Sequence, residues 1–125
     1  RKSAFTGTSR VIVAGTFALT PGAPEEIRQR MQELMARRKA SQPLDLPSAG
    51  STFKRPVGGY AAALIEQAGL KGTQIGGAAV SAKHAGFVVN LGGATESDVL
   101  ALIAHVQKRV LETSGISLEP EVVRL

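Results

Sequence analysis

Gly86–Gly115 reads GFVVNLGGATESDVLALIAHVQKRVLETSG, and this stretch decides the fold. Gly86–Leu91 is rich in β-branched residues and reads as a strand, closed by Gly92-Gly93. Thr95-Glu96-Ser97-Asp98 then has the form of a capping box, with Asp98 in the third position where Glu is commoner. Val99, Leu102, Ile103, Val106 and Val110 fall on one stripe of the helix that follows. Gln107, Lys108, Arg109 and Glu112 occupy the other face, and Gly115 ends the helix. A strand feeding a long, one-sided helix calls for a sheet that the helix can cover.

Working outward, Arg10–Thr20 (RVIVAGTFALT) alternates around Gly15 and is expected to be a strand. Pro21-Gly22 makes a turn. Pro24-Glu25-Glu26 starts a helix, because proline suits the first turn and acids suit the positive end of the dipole. Ile27, Met31, Leu34 and Met35 give that helix one apolar face, and Arg37, Arg38 and Lys39 sit near its C-terminus. Gln42–Pro56 is punctuated by prolines and reads as irregular, with a short strand at Ser51–Phe53. Tyr60–Ala68 is helical, with Leu64 and Ile65 facing in and Gly69 at C′. Lys71–Ala79 is glycine-rich, and Ile116–Leu118 and Val122–Leu125 read as short strands around Pro120. The fold class is therefore α+β: a small, largely antiparallel sheet packed with two long helices and one short helix.

The 125 residues suit one domain, and 43% hydrophobic content argues against disorder. Cysteine is absent, which excludes disulfides, thiolate nucleophiles and cysteine zinc sites. No apolar run approaches the ~20 residues of a membrane-spanning helix. The chain opens abruptly at Arg1 and stops within a strand-like segment, as expected of a domain cut from a longer chain. A formal charge of +5 suits either a phosphate-bearing small molecule or nucleic acid. Aromatic content of only 4% argues against stacking platforms for single strands.

Few residues offer chemistry. The glycine-rich stretches lack the spacing of phosphate-binding loops, and Gly76-Gly77 reads as a tight turn or a close approach to a ligand. His84 and His105 form no metal-ligand pattern, so no metal site is expected. Ser51 is preceded by small residues and followed by Lys54 and Arg55, which makes either a turn hydroxyl or a group beside a bound oxyanion. Glu121 is either an exposed strand residue or a functional carboxylate.

Five segments resemble, in order, the UDP-N-acetylenolpyruvoylglucosamine reductase family (MurB, or UDP-N-acetylmuramate dehydrogenase), type II branch. They are QPLDLPSAGSTFKR (Gln42–Arg55), AAALIEQAGLKG (Ala61–Gly72), GGAAVSAKHAGFVVN (Gly76–Asn90), ATESDVLALI (Ala94–Ile103) and LEPEV (Leu118–Val122). The opening Arg-Lys-Ser matches the family's Tyr-Arg-x-Ser motif without its Tyr. Ser41 departs from the pattern, standing where this branch often carries Lys; Lys39 lies two residues upstream.

The resemblance implies that residues 1–125 are the C-terminal, substrate-binding domain, with the N-terminal FAD-binding domain outside this chain. It implies reduction of UDP-GlcNAc-enolpyruvate to UDP-N-acetylmuramate, a peptidoglycan precursor, by FAD and NADPH in a bacterial cytoplasm. No cofactor is expected on this chain alone, nor reductase activity, and no nucleic-acid or membrane partner is implied. Ser51 matches the family's proton donor to C2; Arg1 and Glu121 match the groups that stabilise the enolic intermediate. Lys54, Arg55 and His84 match substrate contacts, Arg55 standing where other members carry Asn near the diphosphate. The alternative, from the charge alone, is a stand-alone basic module that binds a nucleotide or nucleic acid without catalysis.

Overall fold

In the computed structural model, which describes residues 3–123, the capping box forms as its residues suggest. The Thr95 hydroxyl accepts the Asp98 N–H at 3.2 Å, and the Asp98 carboxylate accepts the Thr95 N–H at 2.9 Å. The helix so started runs Glu96–Ser114 and ends at Gly115, whose φ of +70° is the left-handed cap that glycine adopts without strain. Two other helices precede it in the chain. We label them α1 (Pro24–Ser41), α2 (Ala61–Gln67) and α3 (Glu96–Ser114), and the strands β1 (Ser48–Ser51), β2 (Gln74–Ile75), β3 (Ala78–Val80) and β4 (Phe87–Asn90).

The strands form one antiparallel sheet in the order β1-β4-β3-β2. Period-two alternation divides its side chains between two faces. Ala78 and Val80, with Val88 beside them, join Leu102, Ile103, Val106 and Val110 of α3 and Ile65 of α2 in the main core. Ala79, Phe87 and Val89 point the other way and meet Leu46 in a smaller cluster. α2 ends in a Schellman motif, with the Leu70 N–H on the Ile65 carbonyl and the Gly69 N–H on that of Glu66. Both Ile65 and Leu70 are buried, so the motif seats α2 in the core.

Gly76-Gly77 is the two-residue turn of the β2–β3 hairpin, in a stretch with too little side-chain pattern to announce two strands. Gly77 must be glycine for lack of room: a Cβ there would lie 2.5 Å from both the Ala94 nitrogen and the Gly92 oxygen. The Gly77 N–H also reaches the Asp98 carboxylate at 3.3 Å, which ties the hairpin to the start of α3.

The α+β class holds, but four local expectations need correction. Arg10–Thr20 is not a strand. Val11, Val13, Phe17 and Leu19 are each more than 80% exposed, and no strand lies alongside to share backbone hydrogen bonds among the described residues. Ile116–Leu118 is irregular rather than extended in a sheet; Leu118 is buried and its carbonyl accepts from Gln107 Nε2 at 2.8 Å. The strand expected at Ser51–Phe53 lies earlier, at Ser48–Ser51, and Phe53 instead bridges Pro120. Val122 and Val123 are exposed and outside any strand, and the last two residues of that expected strand lie outside the described residues. α1 forms as expected but buries none of its residues.

Candidate functional site

The site grows from an irregularity in β1. Ser48 pairs with Val89 and Ser51 with Phe87, so one extra residue bulges out between them. Gly50 sits in that bulge at φ +84°, a conformation suited to glycine. Bulges re-aim the side chains that follow, and the next residue is Ser51, exposed at the end of the strand.

Thr52 fixes what comes after. It is buried, its N–H donates to the Gly86 carbonyl at 2.9 Å, and its hydroxyl accepts the Val88 N–H at 3.0 Å. Its own carbonyl accepts the Glu121 N–H at 2.8 Å, while the Lys54 N–H donates to the Glu119 carbonyl at the same distance. The C-terminal segment is thereby laid antiparallel along residues 52–54, with Glu121 beside the Ser51 end. Two residues from opposite ends of the fold become neighbours through backbone pairing alone.

Ser51 and Glu121 line a cleft of about 590 Å³ together with Phe53, Lys54, Arg55, Tyr60, His84 and Glu119. That volume lies in the range of small-molecule sites. The same two residues also border a more open hollow of about 560 Å³, whose other walls are Ala49, Val122 and Val123. They stand where two concave surfaces meet, one carrying Lys54, Arg55, His84 and Glu119, the other closed by Ala49, Val122 and Val123.

Each sequence-expected contact can now be placed. The Lys54 ammonium is paired with the Glu119 carboxylate, so much of its charge is answered locally. Arg55 lies over the ring of Tyr60, its guanidinium carbon 4.0 Å from the centroid. His84 accepts the Gly86 N–H on Nδ1 at 3.1 Å, which leaves the proton of its neutral form on Nε2 as a hydrogen-bond donor. Its ring packs edge-on against Phe87 with centroids 5.0 Å apart, which holds its orientation. Five of the six expected residues therefore share one cleft. Arg1, the sixth, lies outside the described residues. Lys39 gives its carbonyl to Lys83 Nζ at 2.5 Å, at the end of α1.

Sequence reading missed Thr52 and Tyr60. Thr52 differs from any other strand threonine only once its three partners are known. Tyr60 carried a signal, being the only tyrosine in an aromatic-poor chain and lying just beyond Gly58-Gly59 from Arg55.

The described residues offer poor accommodation for a dinucleotide. Pyrophosphates are commonly held at free helix N-termini. The N-terminus of α3 is filled by its own Asp98, that of α1 carries Glu25 and Glu26, and α2 has only seven residues. No group of three or more histidine and carboxylate side chains that could hold a metal occurs among the described residues. No helix among them is long and apolar enough to cross a membrane.

Residues 42–125 match the family model described as UDP-N-acetylenolpyruvoylglucosamine reductase, C-terminal domain. The chain is 55% identical over 112 residues to the UDP-N-acetylenolpyruvoylglucosamine reductase of Levilactobacillus brevis, covering 90% of this chain and 37% of that protein. Against the enzyme of the same name from Limosilactobacillus reuteri, identity is 53% over 122 residues, covering 98% and 41% respectively. The crystal structure of the Thermus caldophilus reductase (MurB) superimposes with a TM-score of 0.60 at 43% identity, over 80% of this chain and 35% of that one. The chain thus spans roughly two fifths of the length of these curated relatives. It belongs to the UDP-N-acetylenolpyruvoylglucosamine reductase family, of which residues 42–125 are the C-terminal domain.

Proposed function

We propose that this chain is the substrate-binding part of a reductase that converts UDP-GlcNAc-enolpyruvate to UDP-N-acetylmuramate for peptidoglycan synthesis in a bacterial cytoplasm. The observation that carries the reading is the meeting of Ser51 and Glu121 in one cleft with Arg55 and His84. The FAD and NADPH of the reaction are assigned to the rest of the enzyme; in this chain the N-terminus of α3 holds its own Asp98, and that of α1 carries Glu25 and Glu26. The exposed apolar residues of 11–35 support a further part of the protein packing there.

The cleft's own residues account for binding and proton transfer. Arg55 and the Nε2–H of His84 offer donors to the diphosphate and sugar of the substrate. Reduction of the enol ether leaves carbanion or enol character at C2. Ser51 Oγ–H gives its proton to that carbon; a hydroxyl, a weak acid in water, suffices because the acceptor is far more basic and the geometry is held. The bulge at Gly50 and the bonds of Thr52 supply that geometry. Glu121 and Arg1 act on the developing enolate, where fixed donors and charges count most. The alternative of a general polyanion-binding module gains little beside the family match, which covers residues 42–125.

Ser51→Ala in the full-length enzyme tests the assignment. Flavin reduction by NADPH should persist, while turnover of the enol ether falls by about 10²- to 10⁴-fold, the usual worth of a positioned proton donor. Undiminished turnover would remove Ser51 from the chemistry.

A further inference from the structure

We infer that Tyr60 is a positioning residue for substrate binding: its ring holds Arg55 in place as the cleft's anion-reading group. The inference rests on the proposed function and adds to it a division of labour between the two neighbouring cations. Lys54 and Arg55 are adjacent in sequence and line the same cleft. Lys54 is drawn off by Glu119, whereas Arg55 has no carboxylate partner among the described residues and makes its contact with an aromatic face. A guanidinium lying on a ring keeps its N–H donors directed outward in its own plane, where a phosphate can take two of them at once.

The placement of Tyr60 suits that task. It is the residue immediately before α2, and its carbonyl accepts the Leu64 N–H at 3.2 Å. Ala61 and Ile65, which follow it, are buried in the core. The loop Pro56–Gly59 turns back through Gly58 at φ +86°, bringing the ring under the arginine that preceded the loop. Tyr60 is itself 62% exposed, and its hydroxyl makes no hydrogen bond to another described residue. Its ring, rather than its hydroxyl, is engaged. A long, exposed arginine otherwise samples many rotamers, and each one excluded beforehand is one fewer to lose on binding.

The test is steady-state kinetics on the full-length enzyme with UDP-GlcNAc-enolpyruvate and NADPH. Arg55→Ala should raise the KM for the UDP-sugar by about 10- to 100-fold, as expected for loss of a charged hydrogen-bonding group. Tyr60→Ala should raise the same KM by about 2- to 5-fold, with kcat and the KM for NADPH within about twofold, matching an exposed cation–ring contact. Tyr60→Phe keeps the ring and should restore the KM. In the Arg55→Ala background, Tyr60→Ala should add nothing further, because the residue it positions is gone.

An undiminished Tyr60 effect in that background overturns the inference, since the ring would then contact substrate directly. A normal KM for Tyr60→Ala overturns it as well. Failure of the underlying reading looks different: Arg55→Ala itself would leave the UDP-sugar KM unchanged.

Discussion

The two long helices make the most informative comparison in the molecule. Both α1 and α3 carry apolar residues at helical spacing, and they are nearly equal in length at 18 and 19 residues. α3 buries Leu102, Ile103, Val106 and Val110 against the sheet, whereas Ile27, Met31, Leu34 and Met35 of α1 are 49–65% exposed. Periodicity therefore reports that a helix has an inner face, but not what that face will meet. The family model begins at residue 42, one residue past the end of α1, and the same boundary separates the packed part of the chain from the unpacked part.

The comparison can be broken first at its packed end. Leu102 is fully buried in the main core. Leu102→Ala should cost about 2–5 kcal/mol, the lost transfer of the side chain plus the cavity left behind. A urea titration of this chain reads that loss as a lower midpoint at unchanged slope. A loss well under 1 kcal/mol would mean that α3 is no better packed than α1, and the contrast would fail.

Legibility in the sequence follows the same division. α3 could be read to its ends because every signal was local: the Thr95–Asp98 box, the five-residue stripe and Gly115 all act within a turn of where they stand. The end of α2 at Gly69 was legible for the same reason. The failures are all non-local. RVIVAGTFALT has the composition of a strand, but a strand exists only beside another, and no local pattern names the neighbour. β2 and β3 were hidden in a glycine-rich run because their pairing depends on the close approach of Gly77 to the Gly92–Ala94 backbone. At the site, Ser51, Lys54 and Arg55 were legible as one short segment with a hydroxyl and two cations, and the substrate contact of His84 came from motif resemblance; their convergence with Glu121 depends on the pairing of residues 52–54 with 119–121. Thr52 carries no motif that marks its three bonds as different from those of any threonine. The stack of Tyr60 on Arg55 needed the fold of the Pro56–Gly59 loop.

A smaller effect sharpens the packed side by tracing how the hairpin is tied to α3. The Asp98 carboxyl is held below its ordinary value of 3.8, chiefly by the Thr95 N–H, then by that of Gly77, with the Thr95 hydroxyl third. A carboxyl whose folded pKa is depressed stabilises the fold fully above its unfolded value. That contribution declines as pH falls through 3.8 and is gone once pH passes below the lowered folded value. Asp98→Asn keeps an acceptor but removes the charge, so it should lower the urea midpoint at about pH 6, and the difference from the parent should narrow as pH falls through and below 3.8. A pH-independent difference would show that the tie depends on shape rather than on charge.

The smallest effect is expected at α1, and it tests the comparison from its unpacked end. Met31 is 65% exposed, and alanine is the better helix former, so removing its side chain takes away little that this chain uses. Met31→Ala in the 125-residue chain should change stability by no more than about 0.5 kcal/mol, the range of ordinary surface substitutions. In the full-length protein the same substitution should cost more, because an apolar face covered by further chain then loses a packed side chain. The two measurements separate three arrangements. A loss of about 2 kcal/mol or more already in the short chain would mean that α1 packs on the domain, which ends the contrast with α3. Neutrality in both proteins would mean that nothing covers the face. Only neutrality in the short chain with a loss in the full-length protein makes α1 a helix whose inner face is completed by further chain, as α3 is completed by the sheet.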